Sequence, residues 1–157
     1  MPDALPMQRV MAFDFGLRRI GVAMGQALLG TAEPVTLLPA RDGVPDWEQI
    51  ARLIKTWQPD GFVVGLPLNM DGTESELCQR ARRFAGRLHG RFHLPAEMMD
   101  ERLSSFDARE RLWAQGNWRN RQETPLDGVA AVLILESWFA HRAEQARTGL
   151  PPSPDPS

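Results

Sequence analysis

Short apolar runs alternate with longer amphipathic stretches along this chain, a pattern that predicts β-strands interleaved with α-helices. Five runs predict strands, over residues 9–14, 20–26, 31–38, 61–65 and 95–100. The connection from residue 14 to residue 20 has hairpin length, so we expect the first two strands to be antiparallel. The run GFVVG at 61–65 is rich in β-branched residues and is typical of a buried parallel strand.

A capping residue precedes each stretch that has helical spacing, and these residues predict where four helices begin. The predicted starts are Asp46 with Gln49 as a capping box (helix 46–57), Thr73 with Glu76 as a second capping box (about 74–90), Ser104 (to about 114), and Thr124 with Pro125 at the first helical position. The order β-β-β-α-β-α-β-α-α predicts an α/β domain, a mixed sheet with helices on both faces.

Length and composition fit one domain of ordinary globular character. The chain has 157 residues, a formal net charge of −2 and a single cysteine, Cys78, which excludes an internal disulfide and a cysteine-based zinc site. We expect a flexible segment at 1–8, a domain at 9–147 and a disordered proline-rich tail at 148–157. No signal peptide and no membrane-length apolar run is recognisable, so we expect a cytoplasmic protein.

Acidic residues stand where strands end and where the last helix begins. Asp14 ends the first strand, Asp100 and Glu101 end the last one, and Asp127 lies in the first turn of the last helix. If the first and last strands are parallel neighbours, their carboxyl ends bring these acids together. Such a cluster suits one or two Mg²⁺ or Mn²⁺ ions, which can promote phosphodiester hydrolysis.

Each acid also has a structural interpretation. Asp127 can complete a capping box with Thr124, and Asp14 precedes a glycine turn in which aspartate often bonds to local backbone. Strand alternation points Asp100 and Glu101 to opposite sides, so only one of them is expected to bind metal. The prediction of a metal site therefore depends on the combination of acids.

Two segments are candidates for binding nucleic acid. The polar loop 115–123 carries Trp118, Arg119 and Arg121, and an aromatic ring there can stack on a base. The predicted helix at 74–90 carries Arg80, Arg83 and Arg87 on one side, which is either a phosphate-binding face or an ordinary solvated one. Asn69, in the loop before that helix, is a further candidate for substrate binding.

Four motifs closely resemble one bacterial family. The segments are AFDFGLRRIGVA at 12–23, VVGLPLNMDGTES at 63–75, DERLSSFDARERL at 100–112 and DGVAAVLILESWF at 127–139. In this order they resemble the YqgF family, which has a ribonuclease H-like fold and is described both as pre-16S ribosomal RNA nucleases and as Holliday junction resolvases. The resemblance covers about residues 9 to 142 and implies that Asp14, Glu101 and Asp127 are catalytic metal ligands, with Asp100 left open.

The sequence departs from the family pattern in three places. Ser104-Ser105 replaces the usual Thr-Thr after DERL, Arg119 and Arg121 stand where lysines are common, and Leu17 replaces a threonine. Hydroxyl and positive charge are retained in the first two cases, whereas Leu17 removes a possible hydroxyl contact.

The expected function is therefore metal-dependent nuclease activity in processing the 5′ end of pre-16S rRNA. Alternatives are a Holliday junction resolvase, which must dimerise to cut symmetrically, and a non-catalytic RNA-binding ribosome assembly factor. An actin-like or sugar-kinase ATP-binding domain shares the strand–DxG–strand opening but requires two such domains. We expect a nucleic-acid partner, no membrane, and a monomer or homodimer.

Overall fold

The apolar runs form the strands of one mixed sheet in a computed structural model that describes residues 7–69, 71–101 and 129–148. The strands are β1 (Arg9–Asp14), β2 (Arg19–Gln26), β3 (Thr31–Arg41), β4 (Val44–Pro45), β5 (Gly61–Leu66) and β6 (Ala96–Asp100). The helices are α1 (Trp47–Trp57), α2 (Glu76–Phe92) and α3 (Val129–Thr148). The predicted helix at 104–114 and the predicted cap Thr124 lie outside the described residues.

The strand order is β4-β3-β2-β1-β5-β6. Strands β1 and β2 are antiparallel, as predicted from their short connection, while β1–β5 and β5–β6 are parallel pairs. The condition that the first and last strands be direct neighbours is not met, because β5 lies between them, although all three run parallel. All six residues of β5 are buried, whereas β6 is mostly half-exposed, so β5 takes the central position and β6 the edge.

Helices cover both faces of the sheet, which confirms the predicted architecture. On one face, Met11 and Phe13 of β1 belong to a core cluster completed by α1 and α2. On the other face, Val10 and Ala12 pack in a second cluster that α3 completes. Because side chains alternate along a strand, Asp14 at the end of β1 belongs to the α3 face.

The helix starts confirm some predicted caps and correct others. The Asp46 carboxylate accepts a hydrogen bond from the backbone N–H of Glu48 at 3.0 Å, so Asp46 caps α1 as predicted. The reciprocal half of that capping box is not formed, because Gln49 Oε1 is buried without a hydrogen-bond partner in the described part of the chain.

Helix α2 begins at Glu76, with Ser75 as N-cap, rather than after Thr73. The Asp71 carboxylate accepts hydrogen bonds from the backbone N–H of Thr73 at 3.0 Å and from the Thr73 hydroxyl at 2.6 Å. These bonds hold Thr73 in the preceding turn, so it is not available to cap the helix. The second predicted capping box is therefore wrong.

The packed region starts slightly before the predicted domain boundary. The side chain of Met7 is buried, and the backbone N–H of Gln8 donates to the Asp60 carboxylate at 3.1 Å. Residues 7 and 8 thus belong to the fold, although we expected flexibility up to residue 8. None of the helices in the described ranges is long and apolar enough to cross a membrane.

Candidate active site

Asp14 lies at the carboxyl end of β1, half-buried and beside Gly21 of β2 in the strand register. Burial raises the pKa of this carboxyl above its ordinary value of 3.8, because desolvation disfavours the ionised form. A bound cation would offset this cost. A carboxylate held in such a position is therefore suited to binding a cation.

Glu101 reaches the same face of the sheet by lying across β5. A methyl group built on Gly65 would stand 2.7 Å from Glu101 Oε2 and 2.5 Å from Ile134 Cδ1, so the carboxylate and the α3 side chain both occupy the space above this glycine. Gly65 follows Val64, the register partner of Phe13, and is therefore level with Asp14. Two strand spacings separate the backbones of β1 and β6 by roughly 10 Å. The Glu101 side chain extends over the glycine, so its carboxylate lies closer to β1 than the β6 backbone does.

Alternation along β6 separates Asp100 from this arrangement. Met98 packs against the α1–α2 cluster, whereas Met99 is buried in the α3 cluster. Asp100 therefore follows Met98 to the α1–α2 face, while the contact above Gly65 places Glu101 on the α3 face. Of the two adjacent acids, Glu101 shares a face with Asp14.

The direction of α3 relates its start to the same edge. Ile134 lies above Gly65 at the carboxyl end of β5, while Trp138 and Arg142 contact Glu97 near the beginning of β6. The helix thus runs away from the carboxyl edge, and its first residue, Val129, lies toward that edge. Asp127, the predicted third ligand, lies outside the described residues, two positions before α3 in sequence.

The residues present are compatible with a hard divalent cation. Asp14 and Glu101 supply only oxygen donors, which are the ligands that Mg²⁺ and Mn²⁺ prefer. Within 7–69, 71–101 and 129–148, no group of three His, Cys, Asp or Glu side chains assembles that could hold a metal. A complete site would therefore need a ligand from outside these ranges.

The predicted substrate contacts lie in different places. Arg80 and Arg83 stand on α2, and Asn69 lies in the loop after β5, where its amide nitrogen donates to Thr73 Oγ1 at 2.9 Å. Trp118, Arg119 and Arg121 lie outside the described residues, as does the rest of the predicted binding loop. The structure therefore places Asp14 and Glu101 on one face of the sheet, at the carboxyl ends of their strands, and leaves that loop untested.

Two features near the site were not predicted from the sequence. Gly65 interrupts an otherwise apolar buried strand, and an isolated glycine in a strand is a signal of close approach by another group. The dipeptide Asp42-Gly43 joins β3 to the short β4, and Asp-Gly is a strong hairpin signal. Both signals are present in the sequence.

Comparison with known sequences identifies the family. A sequence model of the family described as "RuvX: Holliday junction resolvase" matches residues 8–141. The chain belongs to the RuvX family. This match confirms the relationship predicted from the four motifs, and it spans every strand and most of α3.

Curated relatives of this RuvX-family chain are similar over nearly their whole length. A protein from Marinobacter nauticus is 56% identical over 143 residues, covering 91% of this chain and 99% of the relative. One from Saccharophagus degradans is 53% identical over 132 residues, covering 84% and 93%. Both carry the name "Putative pre-16S rRNA nuclease".

Two solved structures of resolvases are similar to this chain in fold. Thermus thermophilus RuvC in complex with a Holliday junction substrate matches with a TM-score of 0.59 at 13% identity, covering 87% of this chain and 96% of that one. The yeast mitochondrial Holliday junction resolvase matches with a TM-score of 0.58 at 12% identity, covering 90% and 82%. The fold is therefore ribonuclease H-like, as expected, and together with the family it confirms the prediction of a phosphodiester hydrolase.

Proposed function

We propose that this RuvX-family chain is a divalent-metal-dependent nuclease that processes the 5′ end of pre-16S rRNA in the cytoplasm during ribosome biogenesis. The observation that carries the proposal is the placement of Asp14 and Glu101 on one face of the sheet, at the carboxyl ends of their strands, across a glycine. The choice of RNA substrate rests on the names of relatives that are more than 50% identical.

Asp14, Glu101 and Asp127 are the residues that would hold the cation. One or two Mg²⁺ or Mn²⁺ ions would supply Lewis-acid stabilisation of the phosphodiester and a more acidic bound water. The partial burial of Asp14 limits competing water at its carboxylate. The Glu101 side chain, held above Gly65 beside Ile134, is restricted in the positions that it can take. Support for Asp127 comes from the first residue of α3, which lies toward the same edge.

A cleavage assay with metal titration tests this proposal. The substrate is an RNA spanning the 5′ precursor region and the mature end of 16S rRNA, with Mg²⁺ or Mn²⁺ added to EDTA-treated protein. Asp14→Asn and Glu101→Gln should each lower kcat by about 100-fold or more, because each removes a charged ligand. Asp100→Asn is the matched control, since it removes an adjacent carboxylate from the other face.

Two results would contradict the proposal. One is cleavage that persists in EDTA, and the other is cleavage that Asp14→Asn leaves unchanged. RNA binding without metal-dependent cleavage by the parent chain would instead favour a non-catalytic assembly factor.

A junction resolvase is the second candidate, favoured by the description of the family and by the fold shared with RuvC. A resolvase makes two symmetric cuts and therefore requires two active sites related by symmetry. Cleavage of a four-way DNA junction, measured alongside the RNA reaction and the oligomeric state, separates the candidates. Paired cuts by a dimer, at a rate above that on RNA, would favour the resolvase.

A further inference from the structure

A basic groove lies on the α1–α2 face of the sheet, between α2 and the β3–β4 turn. It encloses a cavity of about 200 Å³. Phe15 and Phe84 form its buried floor, and three arginines of α2 line one wall: Arg80, Arg83 and Arg87. Phe15 directly follows Asp14 at the carboxyl end of β1, and its side chain lies on the opposite face of the sheet from that of Asp14, so a nucleic-acid strand that reaches both would pass around the carboxyl edge of the sheet. We call this feature the α2 groove.

The turn that forms the opposite wall is firmly attached. Asp42 and Gly43 both have positive φ angles, 53° and 84°, which fit a two-residue hairpin turn. The backbone N–H of Gly43 donates to the Leu17 carbonyl at 2.8 Å. A methyl group on Gly43 would come within 2.9 Å of Phe15 Cζ, so the glycine lets the turn lie directly on the floor. These contacts fix the position of the turn, so the groove exists before any ligand binds.

The three arginines differ in their partners. Arg80 donates to the Asp42 carboxylate at 2.9 Å and lies 3.4 Å from the Glu76 carboxylate. Its hydrogen bond with Asp42 is the main reason that the pKa of Arg80 is raised. Arg83 and Arg87 are exposed and form no ion pair within the part of the chain that the structure describes. Arg80 therefore joins the two walls, while two cations remain available.

We propose that Arg83 and Arg87 bind neighbouring phosphates of a nucleic-acid strand that continues from the candidate active site, with Arg80 holding the turn in place. The proposal rests on the proposed nuclease function, since it places this groove along the path of the substrate. An i,i+4 pair on a helix is separated by about 6 Å along the axis. That separation is comparable to the distance between successive phosphates, and a guanidinium can bind a phosphate through two parallel hydrogen bonds.

The rim of the groove favours a nucleic acid over a simple anion. Val44 lines the groove and is 48% exposed, and Leu17 beside Gly43 is 40% exposed. These side chains offer apolar contact to a base or ribose next to the bound phosphates.

Salt-dependent binding of a labelled single-stranded RNA in EDTA tests the proposal without cleavage. For Arg83→Ala/Arg87→Ala, the slope of log affinity against log salt should fall by about 1.4, from two lost contacts of about 0.7 each. If the two affinities converge near 1 M salt, the affinity near 0.1 M salt should fall by about 25-fold. Arg52→Ala/Lys55→Ala is the matched control, because it removes two exposed charges from α1 and should leave the slope unchanged.

A second variant is expected to increase the affinity for RNA rather than decrease it. Asp42→Asn keeps a residue that tolerates positive φ but removes the carboxylate that pairs with Arg80. The asparagine oxygen can still accept the hydrogen bond from Arg80, so the turn stays in place, and the loss of a negative charge at the groove should tighten RNA binding. Unfolding by heat, followed by circular dichroism, establishes that each variant is folded.

Equal slopes for the parent, the Arg83/Arg87 variant and the control would overturn the proposal and leave an acidic protein segment as the occupant of the groove. An unchanged affinity in Asp42→Asn would also count against it. These binding results are independent of cleavage. If Asp14→Asn still cleaved RNA while the slope fell as expected, the proposed metal site would fail and the phosphate-binding groove would stand.

Discussion

Replacement of Gly65 by alanine should reduce catalysis more than it reduces stability. The new methyl group would lie 2.5 Å from Ile134 Cδ1 and 2.7 Å from Glu101 Oε2. Non-bonded carbon atoms prefer a separation of about 3.5–4.0 Å, so each neighbour must move by about 1 Å. The substitution thus displaces the candidate ligand without changing any charged residue.

The displacement of Ile134 should affect mainly stability, and the displacement of Glu101 should affect mainly catalysis. Extra volume in a packed core costs about 1–3 kcal/mol, which corresponds to a decrease in Tm of about 2–10 °C for a domain of this size. A misplacement of about 1 Å at a reacting centre can lower kcat by about 100-fold. Weaker binding of Mg²⁺, by about 10- to 100-fold, should accompany the loss.

A second substitution separates the two effects. Ile134→Val removes the Cδ1 methyl that Gly65→Ala would contact, but leaves the contact with Glu101 in place. The double variant should therefore regain much of its Tm and little of its activity. Single-turnover cleavage at varied Mg²⁺ and thermal unfolding are the two measurements.

Gly25→Ala serves as the matched control. Its methyl group would lie 2.8 Å from Phe139 Cε2 and 2.6 Å from the Thr31 carbonyl oxygen, against the same helix but away from the acids. It should lower Tm while leaving the activity of the folded protein unchanged. If Gly65→Ala lowered Tm but kept the parent's kcat and Mg²⁺ dependence, the reasoning about Glu101 would be refuted.

Three further predictions concern the acids and the loop. Burial raises the pKa of Asp14 above 3.8, so ionisation of this carboxyl destabilises the metal-free protein as the pH rises beyond that value. Asp14→Asn should therefore be more stable than the parent at neutral pH. Thermal unfolding should show this difference vanishing below pH 3.8. A less stable Asn variant would mark Asp14 as a structural turn residue. Arg119→Ala/Arg121→Ala should weaken RNA binding and reduce its salt slope by about 1.4, with little change in the rate at saturating RNA. Asp127→Asn should show near-normal binding and little cleavage; a fully active variant would remove Asp127 from the site.

Local sequence was sufficient for most elements because their signals involve near neighbours. The short connection after Asp14 determined the antiparallel β1–β2 pair, and Asp46 began α1 as predicted. The α2 residues Ala81, Phe84 and Leu88 recur at helical spacing and are buried. Strand alternation also predicted that only one of Asp100 and Glu101 would share a face with Asp14, and Glu101 does.

Interactions between distant residues decided what local patterns could not. Arg80 pairs with Asp42, 38 residues away in sequence. The Glu101 side chain lies over Gly65 and beside Ile134, residues from two other elements. Such contacts depend on the docking of α2 and α3 against the sheet.

The sequence by itself determined which acids end strands, and so predicted the chemistry of the candidate site. Only the tertiary structure decided how those acids are arranged. Strand β5 is buried on both faces and lies between β1 and β6, so the Glu101 side chain lies over Gly65 of β5 and is not on a strand adjacent to that of Asp14. The physical reason is that strand order minimises exposed apolar surface over the whole sheet, a quantity that no single stretch of sequence contains.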